Sequence, residues 1–147
     1  MPPVIRLYVK TSLAFFILTF STGSAFMLMN ALYRTPMPRD LALLHAHMGL
    51  VGWLGLMVMG VAWWMFPLMK DQHRETRGRY HLPTAYAVYY LTVGGLLLRL
   101  AGEPWFWRTG HPFPRFLLIV SAAAQLAGVL GFTAGIWGRV RPIGESL

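Results

Sequence analysis

Five histidines stand out in this chain: His45, His47, His73, His81 and His111. A neutral imidazole is an axial ligand for haem iron and a common ligand for copper or zinc. The chain has no cysteine, which excludes disulfides, thiolate metal sites and cysteine nucleophiles. The five acids, Asp40, Asp71, Glu75, Glu103 and Glu145, all fall outside the apolar runs, so loops or the tail are expected to hold them and no buried carboxylate pair is expected. Phosphate-cradling glycine loops and nucleophile elbows are absent from the sequence. Ligation by histidine is the chemistry left to explain.

The elements that must position these imidazoles are legible from charge. The chain is 56% hydrophobic and 12% charged, too apolar for a soluble fold of this size. Four stretches carry no Asp, Glu, Lys or Arg: Thr11–Tyr33, Leu41–Met69, Tyr80–Leu98 and Phe116–Gly138. Crossing a hydrocarbon core of about 30 Å takes roughly 20 helical residues. Only helices and closed barrels satisfy their backbone in lipid, and no alternating strand pattern appears. The expected fold is all-α, a single integral membrane four-helix bundle over residues 1–147, with helices near 11–33, 43–68, 81–99 and 115–138. The third stretch is the shortest, and Arg99 at its end is expected to snorkel to the interface. Pro104, Pro112 and Pro114 are expected to shape the third loop, and Trp105, Phe106 and Trp107 to join an interfacial aromatic belt.

Arg6, Lys10, Lys70, Arg74, Arg77, Arg79, Arg139 and Arg141 flank one side of these stretches, and Arg34, Arg39, Arg99, Arg108 and Arg115 the other. That bias places both termini in the cytoplasm of a multi-pass protein. A cleaved signal peptide is the alternative for the first stretch, with Gly23-Ser24-Ala25 as the cleavage-like site, although the apolar run continues to Tyr33. The net charge of +8 is scattered in short clusters between apolar runs, so the lipid bilayer rather than nucleic acid is the expected counter-surface.

On this topology His45 and His47 open the second helix and His111 precedes the fourth, all at one end of the bundle. His81 lies at the other end, and His73 in a charged loop. Two residues apart on a helix is about 200° of rotation, so His45 and His47 face different sides unless the turn is irregular. A haem between helices also needs small residues beneath it. The second helix has Gly49, Gly52, Gly55 and Gly60, and the fourth has Ala124, Gly128, Gly131 and Gly135. The same residues serve a plain packing seam, and spacing does not separate the two uses. Asn30 and Gln125 are expected to hydrogen-bond across the bundle. Tyr86, Tyr89 and Tyr90 share a face that would line a proton or quinone path or, more commonly, pack.

The second stretch reads Leu44-His45-Ala46-His47-Met48-Gly49-Leu50-Val51-Gly52-Trp53-Leu54-Gly55, followed by Gly60 and Trp63-Trp64-Met65-Phe66-Pro67. It resembles the second helix of the catalytic subunit of haem-copper oxidases and nitric oxide reductases, where a His near the outer end ligates the low-spin haem. It also resembles small four-helix membrane proteins similar to the N-terminal helices of that subunit, including the small membrane subunit that accompanies some bacterial nitric oxide reductases. The resemblance covers residues 11–67, and the remainder only through helix number. It implies a bacterial inner membrane and a small accessory subunit of a respiratory terminal oxidase or nitric oxide reductase system. Such a subunit would act in assembly, stability or electron delivery beside a larger oxidoreductase subunit, with quinone as a small-molecule partner. The alternative it implies is a stand-alone haem-b-binding protein for electron transfer or haem/NO sensing, with His45, His47 and His111 as cofactor ligands. A copper or zinc site on His45 and His47, joined by His111, is the third reading. The superfamily's remaining ligands come from later helices that are not in this sequence, so a catalyst acting alone is not expected.

Overall fold

A computed structural model of the protein describes residues 1–67 and 74–140. Met69, Lys70, Asp71, His73, Arg141, Pro142 and Glu145 lie outside the described residues. Among the described residues the chain forms four long helices and no strand: α1 (Pro3–Tyr33), α2 (Arg39–Met65), α3 (Leu82–Thr109) and α4 (Pro112–Trp137). Each is long and apolar enough to cross a membrane. The protein is an all-α, multi-pass membrane bundle.

Two helices outrun their charge-free stretches. α1 begins at Pro3, where a missing N–H is harmless. Its Arg6 and Lys10 stay exposed while Val4, Ile5 and Tyr8 are buried. A long cationic side chain near a helix end reaches water and need not stop the helix.

α3 passes Arg99 and runs on to Thr109, ending at Gly110 in the left-handed conformation (φ 62°). Arg99 does not snorkel away. Its guanidinium donates to Glu103 one turn on, at 2.9 and 3.4 Å. Glu103 is therefore a helical residue only 3% exposed, which corrects the expectation that every acid lies in a loop or tail. Pairing at i, i+4 lets both charges enter an otherwise apolar helix. Pro104 likewise sits inside α3, not in a loop, and Pro112 and Pro114 fall in the first turn of α4. Asp40 also sits in a helix, in the first turn of α2, where a carboxylate suits the dipole.

Eight residues of α2, Met48–Gly55, are wound as a π-helix, and the regular helix resumes at Leu56. Such wide turns inside a helix often mark functional positions.

α1 packs along the π segment and the lower half of α2, and α3 pairs with α4 over most of its length. The α1–α2 contact is tight at Gly60, where an added Cβ would lie 2.8 Å from Tyr8 Cβ. Tyr8 then donates to Ala85 O of α3 at 2.9 Å, and Thr11 shares a 2.7 Å hydrogen bond with Tyr89. The α3–α4 seam closes on Gly95, Gly102 and Gly128. Ser121 donates to Gly95 O at 2.7 Å, and Gln125 to Ser121 Oγ at 3.0 Å. Gln125 thus joins an interhelical network, while Asn30 is exposed. α4 meets α2 where Gly135 takes the edge of Trp63, a fully buried side chain flanked by Tyr80 and Phe132.

The end of α2 is capped from elsewhere in the chain. Arg139, just past α4, donates to Phe66 O (2.6 Å), Pro67 O (3.1 Å) and Trp63 O (3.4 Å). Arg79 donates to Trp64 O at 2.6 Å and stacks over the Trp64 ring at 4.1 Å. Carbonyls at a helix C-terminus carry partial negative charge, and guanidinium groups neutralise it.

Candidate functional site

At the end of the bundle near the α1–α2 connection, the two helices part into a cleft of about 580 Å³, a size that suits a prosthetic group or drug-sized molecule. α1 contributes Thr19, Phe20, Gly23, Ser24 and Met27. Thr19, Gly23 and Met27 recur every fourth residue and so stack on one helix face. From α2 come His45, Ala46, Gly49, Leu50, Trp53 and Leu54, spanning the entry into the π segment.

His45 is the titratable side chain of this cleft. Its ring edge comes so close to α1 that a Cβ at Gly23 would stand 2.8 Å from Cε1 and 3.4 Å from Nε2. Glycine at position 23 is therefore what admits the imidazole. His45 Nδ1 is buried and has no hydrogen-bond partner, and so is Thr19 Oγ1. Unsatisfied polar atoms in an apolar setting are uncommon and call for an explanation. The floor is aromatic: Trp53 packs on Phe16 (4.6 Å between centroids) and Phe20 (5.8 Å).

The other histidines are elsewhere. His47 turns to its own helix, with Nδ1 at 2.9 Å from Leu43 O, and does not line the cleft. The expectation that the pair looks two ways holds in the geometry, and the irregular winding starts only at Met48. His111 also does not line the cleft. It is the N-cap of α4, where Nδ1 accepts from Phe113 N (3.2 Å), and it stacks on Trp105 at 6.5 Å. His81 stands at the N-cap position of α3, with Nδ1 2.8 Å from the Thr84 side-chain Oγ1. Among the described residues no group of three metal-ligand-type side chains comes together. His45, His47 and His111 therefore do not assemble into one site.

The α1 wall of Thr19, Gly23, Ser24 and Met27 is not apparent as a site from sequence, because its small residues Gly23 and Ser24 also read as a cleavage-like motif. The glycines of α4 serve the α3–α4 seam and the Trp63 contact, and Gly60 of α2 serves Tyr8. Tyr86 and Tyr90 stack on each other (6.3 Å), and Tyr89 packs on Tyr8 and Tyr90, so this face is an aromatic packing surface.

No protein-family model matches the chain, and no curated protein or solved structure matches it.

Proposed function

We propose that this protein holds a flat, largely apolar prosthetic group, a b-type haem, in the cleft between α1 and α2, with His45 as its ligand from this chain. One observation carries the reading. His45 alone among the candidate imidazoles lines an apolar cleft of adequate volume, with a buried ring nitrogen left unpartnered. Gly23 and Gly49 keep larger side chains out of the cleft walls, and Phe20, Leu50, Trp53 and Leu54 make its lining apolar. Bound there, a haem would supply one-electron chemistry or a site for a diatomic gas. The chain's own part is to place one imidazole and keep its surroundings dry.

A second reading rests on a different observation. Leu50, Leu54 and Met27, on the rim of the cleft, are exposed, so a helix of another protein could close it. On this reading the protein is an accessory subunit beside a larger respiratory oxidoreductase in a bacterial inner membrane, with the cationic bias of Arg6, Lys10 and Arg79 setting both termini in the cytoplasm.

The deciding experiment is a dithionite-reduced minus oxidised spectrum of the purified full chain, with a pyridine haemochrome assay. An α-band is expected in the wild type. It should disappear in His45→Ala and persist in His47→Ala and His111→Ala. A wild-type preparation without a band, even after haem is added, overturns the haem reading. In that case, stable co-purification with an identified oxidoreductase subunit, lost on Leu54→Arg, would carry the accessory reading.

A further inference from the structure

The opposite end of the bundle holds a second concavity of different chemistry. Behind the 3₁₀ turn Arg74–Thr76, a pocket of about 330 Å³ is lined by Trp64, Glu75, Thr76, Arg77, Arg79 and Tyr80, among others. Arg79 is held in place by its bond to Trp64 O and by the Trp64 ring. Arg77 is exposed and adopts the left-handed conformation (φ 55°), followed by Gly78 at φ 76°. A non-glycine residue in that region is sparsely populated and tends to mark sites where position matters.

This end has a cation surplus that the described residues do not neutralise. Their one ion pair, Arg99–Glu103, is remote from it. Arg139, 1% exposed, lies outside the pocket lining; it uses Nε and Nη2 on carbonyls at and just past the end of α2 and leaves a buried Nη1 without a partner among the described residues. The buried Tyr80 hydroxyl is also unpartnered. Burial, and then the like charge of Arg79, pushes the Arg139 guanidinium down to about 10, and burial pushes Tyr80 up. The Arg139 shift reports a dry corner shared with a second guanidinium, and the Tyr80 shift reports burial that outweighs the two nearby cations. Glu75 is the one carboxylate on the pocket wall, it is exposed, and no ion pair joins it to Arg77 or Arg79.

We propose that this pocket binds the phosphate of an anionic phospholipid headgroup, seated between Arg77 and Arg79 beside the Trp64 ring. The ligand class follows from the donors: guanidinium forks match phosphate oxygens. A basic pocket between helices at a bilayer surface takes anionic headgroups. Trp64 sits where α2 ends, an interfacial position for an aromatic ring. A lipid bound there would tie the 74–80 turn to the end of α2 and supply a counter-charge to Arg77 and Arg79.

The test uses the full chain in an uncharged detergent, titrated with phosphatidylglycerol and, in a parallel arm, with phosphatidylcholine of the same acyl chains. Bound lipid is read by native mass spectrometry and binding by tryptophan fluorescence. Phosphatidylglycerol should be retained in preference to phosphatidylcholine. Arg77→Gln removes an exposed side chain that makes no hydrogen bond or ion pair among the described residues, so folding should survive while affinity falls roughly fivefold, the worth of one arginine at an anionic surface. Glu75→Gln should tighten binding, and Arg115→Gln, on α4 near the other end of the bundle, should leave it unchanged. Equal retention of the two lipids overturns the proposal, as does an Arg77→Gln variant that binds phosphatidylglycerol like the wild type. A third arm with inorganic phosphate distinguishes the source. Saturable phosphate binding without lipid preference would overturn the lipid assignment, whereas competition by phosphate against retained phosphatidylglycerol supports it.

Discussion

The α3–α4 seam and the upper half of the α1–α2 seam are both built on small residues, yet one closes and the other stays open. Along α3–α4 three glycines receive something solid: Gln125 and the Ser121 carbonyl at Gly95, Leu117 and Pro114 at Gly102, Thr92 at Gly128. Along the upper α1–α2 seam Gly23 receives only the edge of an imidazole, and the space beyond Ser24 and Gly49 forms the cleft. A small residue in a membrane helix announces a close approach. What approaches, backbone, side chain or ligand, is decided by the facing helix. Between lipid-solvated helices there is little hydrophobic driving force, so van der Waals fit and a few hydrogen bonds hold a closed seam together. An open one has forgone that fit.

Substitutions can sharpen or break this contrast. The largest effect is expected at Gly128→Leu, where even a Cβ would stand 2.6 Å from Thr92 Oγ1. Overpacking there should cost about 3 kcal/mol, read as a large drop in thermal midpoint in detergent. A midpoint within a degree or two of the wild type would mean that the α3–α4 seam is not tightly closed. Next is Glu103→Gln, which leaves the Arg99 guanidinium without its carboxylate. Because Arg99 is partly exposed, a loss of about 2 kcal/mol is expected, below the range for fully buried pairs. Ser121→Ala removes the bond to Gly95 O and weakens the Gln125 link. A destabilisation of about 0.6 kcal/mol is expected, the average for interhelical bonds in lipid.

The smallest change in stability is expected at Gly23→Ala. The new methyl meets the far end of a flexible side chain, so the His45 ring can swing away at a cost of about 0.5 kcal/mol or less. On the proposed haem reading the same methyl should nevertheless lower haem occupancy, because the imidazole leaves its place. Thermal unfolding alongside the haemochrome spectrum checks both halves. A large loss of stability with unchanged occupancy would show that Gly23 is a seam residue like Gly128.

Much of the fold was legible from the sequence, and the misreadings share a cause. Counting uncharged residues found four crossings, but it ended the third near Arg99, because it treats each charge as a terminator. A carboxylate one turn away cancels that charge, and Arg99–Glu103 carries α3 onward to Thr109. The reach of α1 back to Pro3 escaped the count for a similar reason: Arg6 and Lys10 point outward while Val4, Ile5 and Tyr8 pack. At the candidate site, the identity of the histidines was plain and their grouping was not. His45, His47 and His111 share one end of the bundle, but a shared depth says nothing of rotation about each helix axis.

What the sequence determined by itself is the set of four helices. A chain this apolar must satisfy every backbone N–H and C=O locally once it is in lipid, and that demand falls on each long apolar stretch independently of its neighbours. What only the tertiary structure decided is which small residues close a seam and which open a cleft. It also decided that His45 faces α1 while His47 bonds its own helix, and that Arg79 and Arg139 converge on the end of α2. Those outcomes depend on how one helix is turned and set against another, and packing between distant segments settles that.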